Sequence, residues 1–161
     1  MTRTVEIFIV SSVIGLIGLV SGFAVLSARS HTRDVLRLAN VREIQMSLEL
    51  YFQNHSEYPI TTAPIALGQV LTTCLSAEGF SAQCASSGPT PYLEVVAVPP
   101  TAALKGKVAC DNLTDVYCYS GSTDQFRIEF ELESANALLE VAKGANCLTE
   151  TGFKAGVCEA L

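Results

Sequence analysis

IFIVSSVIGLIGLVSGFAVLS, residues Ile7 to Ser27, holds no charged side chain. It is long enough to cross a bilayer core as one helix, which takes about 20 apolar residues. A cleaved secretory signal has a basic start, an apolar stretch of only about 7 to 15 residues and a small-residue cut site. The run from Ile7 is longer. The segment after it, Ala28-Arg29-Ser30-His31-Thr32-Arg33-Asp34, continues without Gly or Pro into more helix-favouring sequence. One uninterrupted rod is therefore expected from about Thr4 to Asn54, roughly 75 Å at 1.5 Å per residue. Pro59 sets its end, because the residue before a proline avoids helical geometry and proline brings no N–H to the ladder.

Two units follow from this pattern: residues 1–28, the apolar half of the rod, and residues 29–161, its amphipathic half with a folded head. Stepping about 100° per residue, Val41, Ile44, Leu48, Tyr51 and Phe52 share one face, while Leu36, Ala39, Met46 and Leu50 fall on another. Two apolar stripes imply two packing partners. One holds the head; the other is either left for a neighbouring molecule or wrapped by the same head. Within the span, Ser11, Gly15, Gly18 and Gly22 put small residues on nearly one face, which permits close approach of helix backbones and is also common in solitary spans.

An α+β head is expected: a long helix packed on a small antiparallel sheet with disulfide-stapled loops. Phe126-Arg127-Ile128-Glu129-Phe130-Glu131-Leu132-Glu133 alternates apolar and charged residues without error, so one face is read as core and the other as water. Val116 to Ser120 is its expected hairpin partner across the Ser120-Gly121-Ser122-Thr123-Asp124 turn. Thr61-Thr62-Ala63-Pro64 reads as the cap of a short second helix with Leu67, Val70 and Leu71 on one side. Ser76 to Pro91 reads as loop, and Tyr92 to Val98 as a buried extended segment closed by Pro99-Pro100. Ala137 to Val141 fits a third strand or a short helix, and the Gly-containing tail reads as irregular.

All six cysteines, Cys74, Cys84, Cys110, Cys118, Cys147 and Cys158, lie beyond the span. An even count confined to one side of a membrane points to disulfides made in an oxidising compartment. Of fifteen connectivities, closure between sequence neighbours is the guess adopted: Cys74 with Cys84, Cys110 with Cys118, Cys147 with Cys158. No Cys-x-x-Cys occurs, and neither His31 nor His55 completes a zinc spacing, so no metal and no other cofactor is expected. The cysteines put the head outside and the N-terminus inside, although Arg29, Arg33 and Arg37 follow the span against the positive-inside rule.

With a net charge of -6 and no run of Lys and Arg, direct nucleic-acid binding by the lone subunit is not expected. No phosphate loop, nucleophile elbow or paired-carboxylate motif stands out, so no enzymatic activity is expected. Asn54-His55-Ser56 and Asn112-Leu113-Thr114 match the glycosylation sequon, a pattern frequent by chance.

The stretch TVEIFIVSSVIGLIGLV resembles the N-terminal signature of type IV pilins and pseudopilins: a Thr, an acid soon after, then an apolar run with Gly nine positions beyond the acid, here Glu6 and Gly15. VREIQMSLELYFQNHSEYP is similar to the end of the pilin helix. The likeness is specific over residues 2–59 and architectural after that. It implies a structural subunit that waits in the inner membrane, is taken up by the pilus assembly machinery, and polymerises into a helical surface filament. It also implies that Glu6 meets the N-terminal amine, here at Met1, of a neighbouring subunit and sets the axial register. Family members open on a methylated residue with the acid fifth; counted from Met1, Glu6 is sixth. The family's mid-span proline is absent, with Gly22 and Phe23 in that region. Other functions left open are a minor pseudopilin of a secretion or DNA-uptake machine, and a monomeric membrane-anchored extracellular binding domain.

Overall fold

A computed structural model describes residues 2–84 and 90–159. A single helix, α1 (Thr2–His55), runs 54 residues, about 80 Å. It is the one helix long and apolar enough to cross a membrane among the described residues, and none of its apolar window is covered by the rest of the chain. Ser56 enters the left-handed region at φ 58 while its N–H still reaches the Phe52 carbonyl at 2.7 Å, and Pro59 follows. The rod therefore ends where proline chemistry says it must.

The head is a five-stranded antiparallel sheet in the order β1-β6-β7-β8-β9, flanked by two small hairpins. Its strands are β1 (Ile65–Leu67), β6 (Tyr117–Gly121), β7 (Phe126–Leu132), β8 (Gly144–Thr149) and β9 (Gly152–Ala155). From β6 onward the sheet is a simple meander. The hairpins are β2 (Cys74–Ser76) with β3 (Gly79–Ser81), and β4 (Ala109–Cys110) with β5 (Leu113–Thr114). Asp111 and Asn112, both at positive φ, join β4 to β5 as the two central residues of a tight turn, a geometry that Asn and Asp tolerate.

The core lies between α1 and one face of the sheet. Val41, Ile44, Leu48 and Tyr51 of the helix meet Phe126, Ile128, Phe130 and Leu132, the apolar set of β7, together with Tyr117, Tyr119 and Leu148. The alternation in β7 thus correctly identifies the side that faces the helix. Burial pushes the Tyr117 and Tyr119 phenols well above the ordinary tyrosine range. Each neutral hydroxyl has a partner: Tyr117 accepts from Asn40 at 3.2 Å, and Tyr119 donates to the Pro59 carbonyl at 2.8 Å.

The opposite face of β7 departs from expectation. Glu129, Glu131 and Glu133, read as a wet face, are each held by protein. Glu129 accepts the Cys158 N–H at 2.8 Å, and Glu131, only 5% exposed, accepts the N–H groups of Lys105 and Lys107 at 2.7 Å each. A second small core of Ala66, Val108, Cys110, Val116 and Cys118 covers this side. Glu131 is thus satisfied by backbone donors of the segment leading into that cover, Glu129 by the backbone of the tail, and Glu133 by the side chains of Arg33 and Arg37.

Other elements differ for a common reason, the pairing of free edges. Instead of a second helix, Ile65-Ala66-Leu67 pairs antiparallel with Tyr119-Cys118-Tyr117, leaving Val70 and Leu71 exposed. Of the stretch from Ser76 to Pro91 read as loop, residues 79–81 pair back onto 74–76, and residues 85–89 lie outside the described residues. The tail is regular: β8 pairs with β7 and β9 with β8. Ala137–Leu139 is a single 3-10 turn capped by the Asn136 side chain. Tyr92 to Val98, expected as a buried extended segment, instead bends at Tyr92, Glu94 and Val95: only Leu93 and Val96 are buried, bonded to Leu75 and Thr73, while Val95 and Val98 are exposed and no strand forms.

All three disulfides join sequence neighbours: Cys74 with Cys84, Cys110 with Cys118, and Cys147 with Cys158. Each closes a short loop, with sequence separations of 10, 8 and 11.

Candidate assembly interface

The described apolar side chains of the lower rod are exposed, because none of the other described residues covers them. Glu6 is its acid, exposed and in no ion pair among the described residues. Its expected partner, Met1, lies outside the described residues. At Gly15, Gly18 and Gly22 an added Cβ would meet nothing within 4 Å. The chain's own packing therefore gives no reason for glycine at any of the three, and Ser11 is exposed on the same side.

Higher up, where the helix carries the head, the two stripes separate cleanly. Val41, Ile44 and Leu48 are sealed in the core. Leu36, Met46 and Leu50 are 49%, 58% and 49% exposed, and Ala39 beside them is exposed as well. Val35, not singled out from the sequence, belongs to the same strip, since it precedes Ala39 and Met46 by four and eleven residues and is exposed. The strip that a self-wrapping head would have covered is bare.

The two faces stay distinct because the helix is fastened to the head by an ionic clasp at the point where it enters. Arg37 has no exposed surface. Its Nη1 donates to Asp34 Oδ1 and to Glu133 Oε1 at 2.8 Å each, its Nε to the Pro100 carbonyl at 3.0 Å, and its Nη2 to the carbonyls of Pro100 and Ala102. Asp34 in turn accepts the N–H groups of Glu133 and Ser134 at 2.9 Å. Arg33 completes a two-pronged contact with Glu133, at 2.6 Å for each oxygen. These Arg33 bonds, aided by Arg37 and opposed by partial burial, hold the Glu133 carboxyl below the usual carboxylate range. Burying a guanidinium is costly unless every donor finds an acceptor, and here all are supplied.

The clasp also bears on charge placement. Arg33 and Arg37, which look like free positive charge just past the span, are matched by Asp34 and Glu133. The sequence carries a signal for it: Arg37, Val41, Ile44 and Leu48 are spaced by four, three and four residues, so Arg37 lies in line with the core stripe.

A strap fastens the other end of the head-bearing helix. Tyr58 N–H donates to Thr123 O at 3.1 Å, Thr61 N–H to Gly121 O at 3.0 Å, and Gly121 N–H to Thr61 Oγ1 at 3.1 Å. A side chain at Gly121 would collide with the Tyr119 hydroxyl and the Pro59 carbonyl, so glycine is required there. Between clasp and strap, the Arg42 guanidinium lies 4.2 Å over the Phe153 ring of β9.

Among the described residues no group of three or more His, Cys, Asp or Glu side chains is arranged to hold a metal ion. No family model, curated protein or solved structure matches the chain.

Proposed function

We propose that the chain is a structural subunit of a type IV pilus-like filament, held in a membrane by the lower half of α1 and then polymerised through that helix outside the cell. The observation that carries the reading is the course of uncovered apolar surface. It surrounds the lower rod and continues up the outward face of α1 through Val35, Leu36, Ala39, Met46 and Leu50, past the head that the opposite face binds. An anchor alone needs the lower part; a helix packed among copies of itself needs both. A subunit exposing different surfaces to different neighbours makes contacts that do not close, which generates a helical fibre.

The residues of the lower rod support the same reading. Glycines with open space around them let backbones approach. A lone carboxylate on an apolar helix is stable in a packed core only beside a cation, and an N-terminal amine of the next subunit answers that need. The bare strip disfavours a monomeric anchored binding domain. A major subunit and a minor, priming subunit differ in abundance within purified fibres.

The test is electron microscopy of material sheared from cells producing wild-type chain, Glu6→Ala or Met46→Glu. Fibres are expected from wild type, with either substitution reducing them severely while the head remains folded. Normal fibres from both variants would remove the helix surface from the mechanism.

A further inference from the structure

Three of the chain's four lysines, Lys105, Lys107 and Lys143, rim one cleft of about 570 Å³ whose wall on the helix side is Ser30. We propose that this cleft seats the headgroup of an anionic phospholipid from the outer leaflet of the membrane that holds the span. The proposal rests on the membrane-inserted stage of the reading above and not on filament formation.

The chemistry is set by which charges are already answered. Glu131 and Glu133 also line the cleft, yet both carboxylates are engaged: Glu131 by the backbone N–H groups of Lys105 and Lys107, Glu133 by Arg33 and Arg37. The three ammonium groups form no ion pair among the described residues, whereas Lys154 elsewhere pairs with Glu159 at 3.4 Å. Arg29, exposed on the helix one residue before Ser30, is likewise unpaired. In a chain of net charge -6, most of the unanswered positive charge of the head therefore converges on one concavity.

The position selects the occupant. Ser30 lies three residues beyond Ser27, the last residue of the uncharged run, so the cleft opens roughly 4.5 Å past the hydrocarbon boundary. The headgroup layer occupies about 5 to 7 Å on each side of the hydrocarbon core. A phosphodiester at that depth sits opposite the lysines with no movement of the head. These lysines lie far along the chain from the span, outside the 15 to 20 flanking residues that bias orientation, so they do not oppose export of the head. An acidic surface on a second copy offers similar charge, but nothing fixes such a surface at this depth.

Full-length chain is reconstituted at low density into vesicles of phosphatidylcholine alone, or of phosphatidylcholine mixed with phosphatidylglycerol. A membrane-impermeant amine-acylating reagent is applied and each lysine is read by mass spectrometry against Lys154 of the same head. The expected result is that labelling of Lys105, Lys107 and Lys143 falls by about threefold or more in the anionic vesicles at low salt. It recovers in high salt, where attraction between exposed charges is screened. In mixed-lipid nanodiscs, K105Q/K107Q/K143Q is expected to co-isolate less phosphatidylglycerol than wild type.

Equal labelling in both vesicle types, or equal lipid enrichment by the triple variant, overturns the proposal. Protection that grows with protein density in neutral vesicles also overturns it, assigning the cleft to a second copy. Failure of the chain to float with vesicles defeats the membrane reading and this proposal together. Normal fibres from Glu6→Ala and Met46→Glu would defeat the filament reading and leave the labelling result unchanged, so the filament reading and the lipid site fail separately.

Discussion

Replacing Arg37 by Ala removes the centre of the clasp. It leaves the carbonyls of Pro100 and Ala102 without their donors, and leaves Asp34 and Glu133 with only their other partners. Removing one member of a buried ion pair costs about 3 to 5 kcal/mol, chiefly because the remaining groups stay buried and under-bonded. With a urea slope of roughly 2 kcal/mol per molar, that cost lowers the unfolding midpoint by about 1.5 to 2.5 M. The assay is urea unfolding of the full chain in detergent, followed by near-ultraviolet circular dichroism of tyrosines such as Tyr117 and Tyr119, which report on head packing. Arg33→Ala serves as the contrast: Arg33 retains exposed surface, and its loss leaves Glu133 bonded to Arg37, so the midpoint moves little. A second contrast is R37A/E133Q, in which removing both partners costs less than the sum of the single changes. A midpoint for Arg37→Ala within about 0.5 M of wild type, or equal effects for Arg33 and Arg37, would refute the clasp as the fastening of helix to head.

Three further outcomes are expected. Because the folded Glu133 carboxyl is depressed, its stabilisation is complete above the ordinary value of about 4.3 and is lost as pH falls through the folded value; the urea midpoint of wild type should decline more steeply with acid than that of Glu133→Gln. Gly121→Ala forces a methyl against the Tyr119 hydroxyl and the Pro59 carbonyl, destabilising by about 1 to 3 kcal/mol, seen as a lowered melting temperature; an unchanged melt would mean the strap is not packed as described. The double change C110A/C118A opens a loop of sequence separation 8 and costs about 2.5 kcal/mol in the chain-entropy model, read by the same melt under oxidising conditions.

The rod was legible because its signal is long: an uncharged run, then a 3.6-residue period with proline at the end. Strand β7 was legible for the corresponding reason, an unbroken period of two. Period says which side chains share a face and nothing about what covers it, so Glu131 read as wet although a segment some 25 residues upstream caps it. Strands β1, β2 and β3, of three residues each, are too short to show any period, and β8 opens on Gly144. These segments become strands because neighbouring edges need partners, a tertiary fact. Arg37 escaped notice because a charge is ordinarily placed in water. On the helix surface, Glu6, the glycine face and the Leu36 strip are visible in sequence because no local structure competes with helical spacing there; Val35 has the same spacing and forms the edge of that strip.

Clasp and strap grip the same helical segment near its two ends, some 27 Å apart from Arg37 to His55. When the rod is pulled along its axis against resistance at the head, the force runs parallel to the helix and divides between the two fastenings. Neither can be peeled first from a free end, as a terminal strand would be. Rupture then requires sliding the helix along the sheet, drawing Arg37 out of its carbonyls and the Pro59 segment off Gly121 in the same event, so the join is strongest against a pull along the rod, the load that the proposed fibre would place on it.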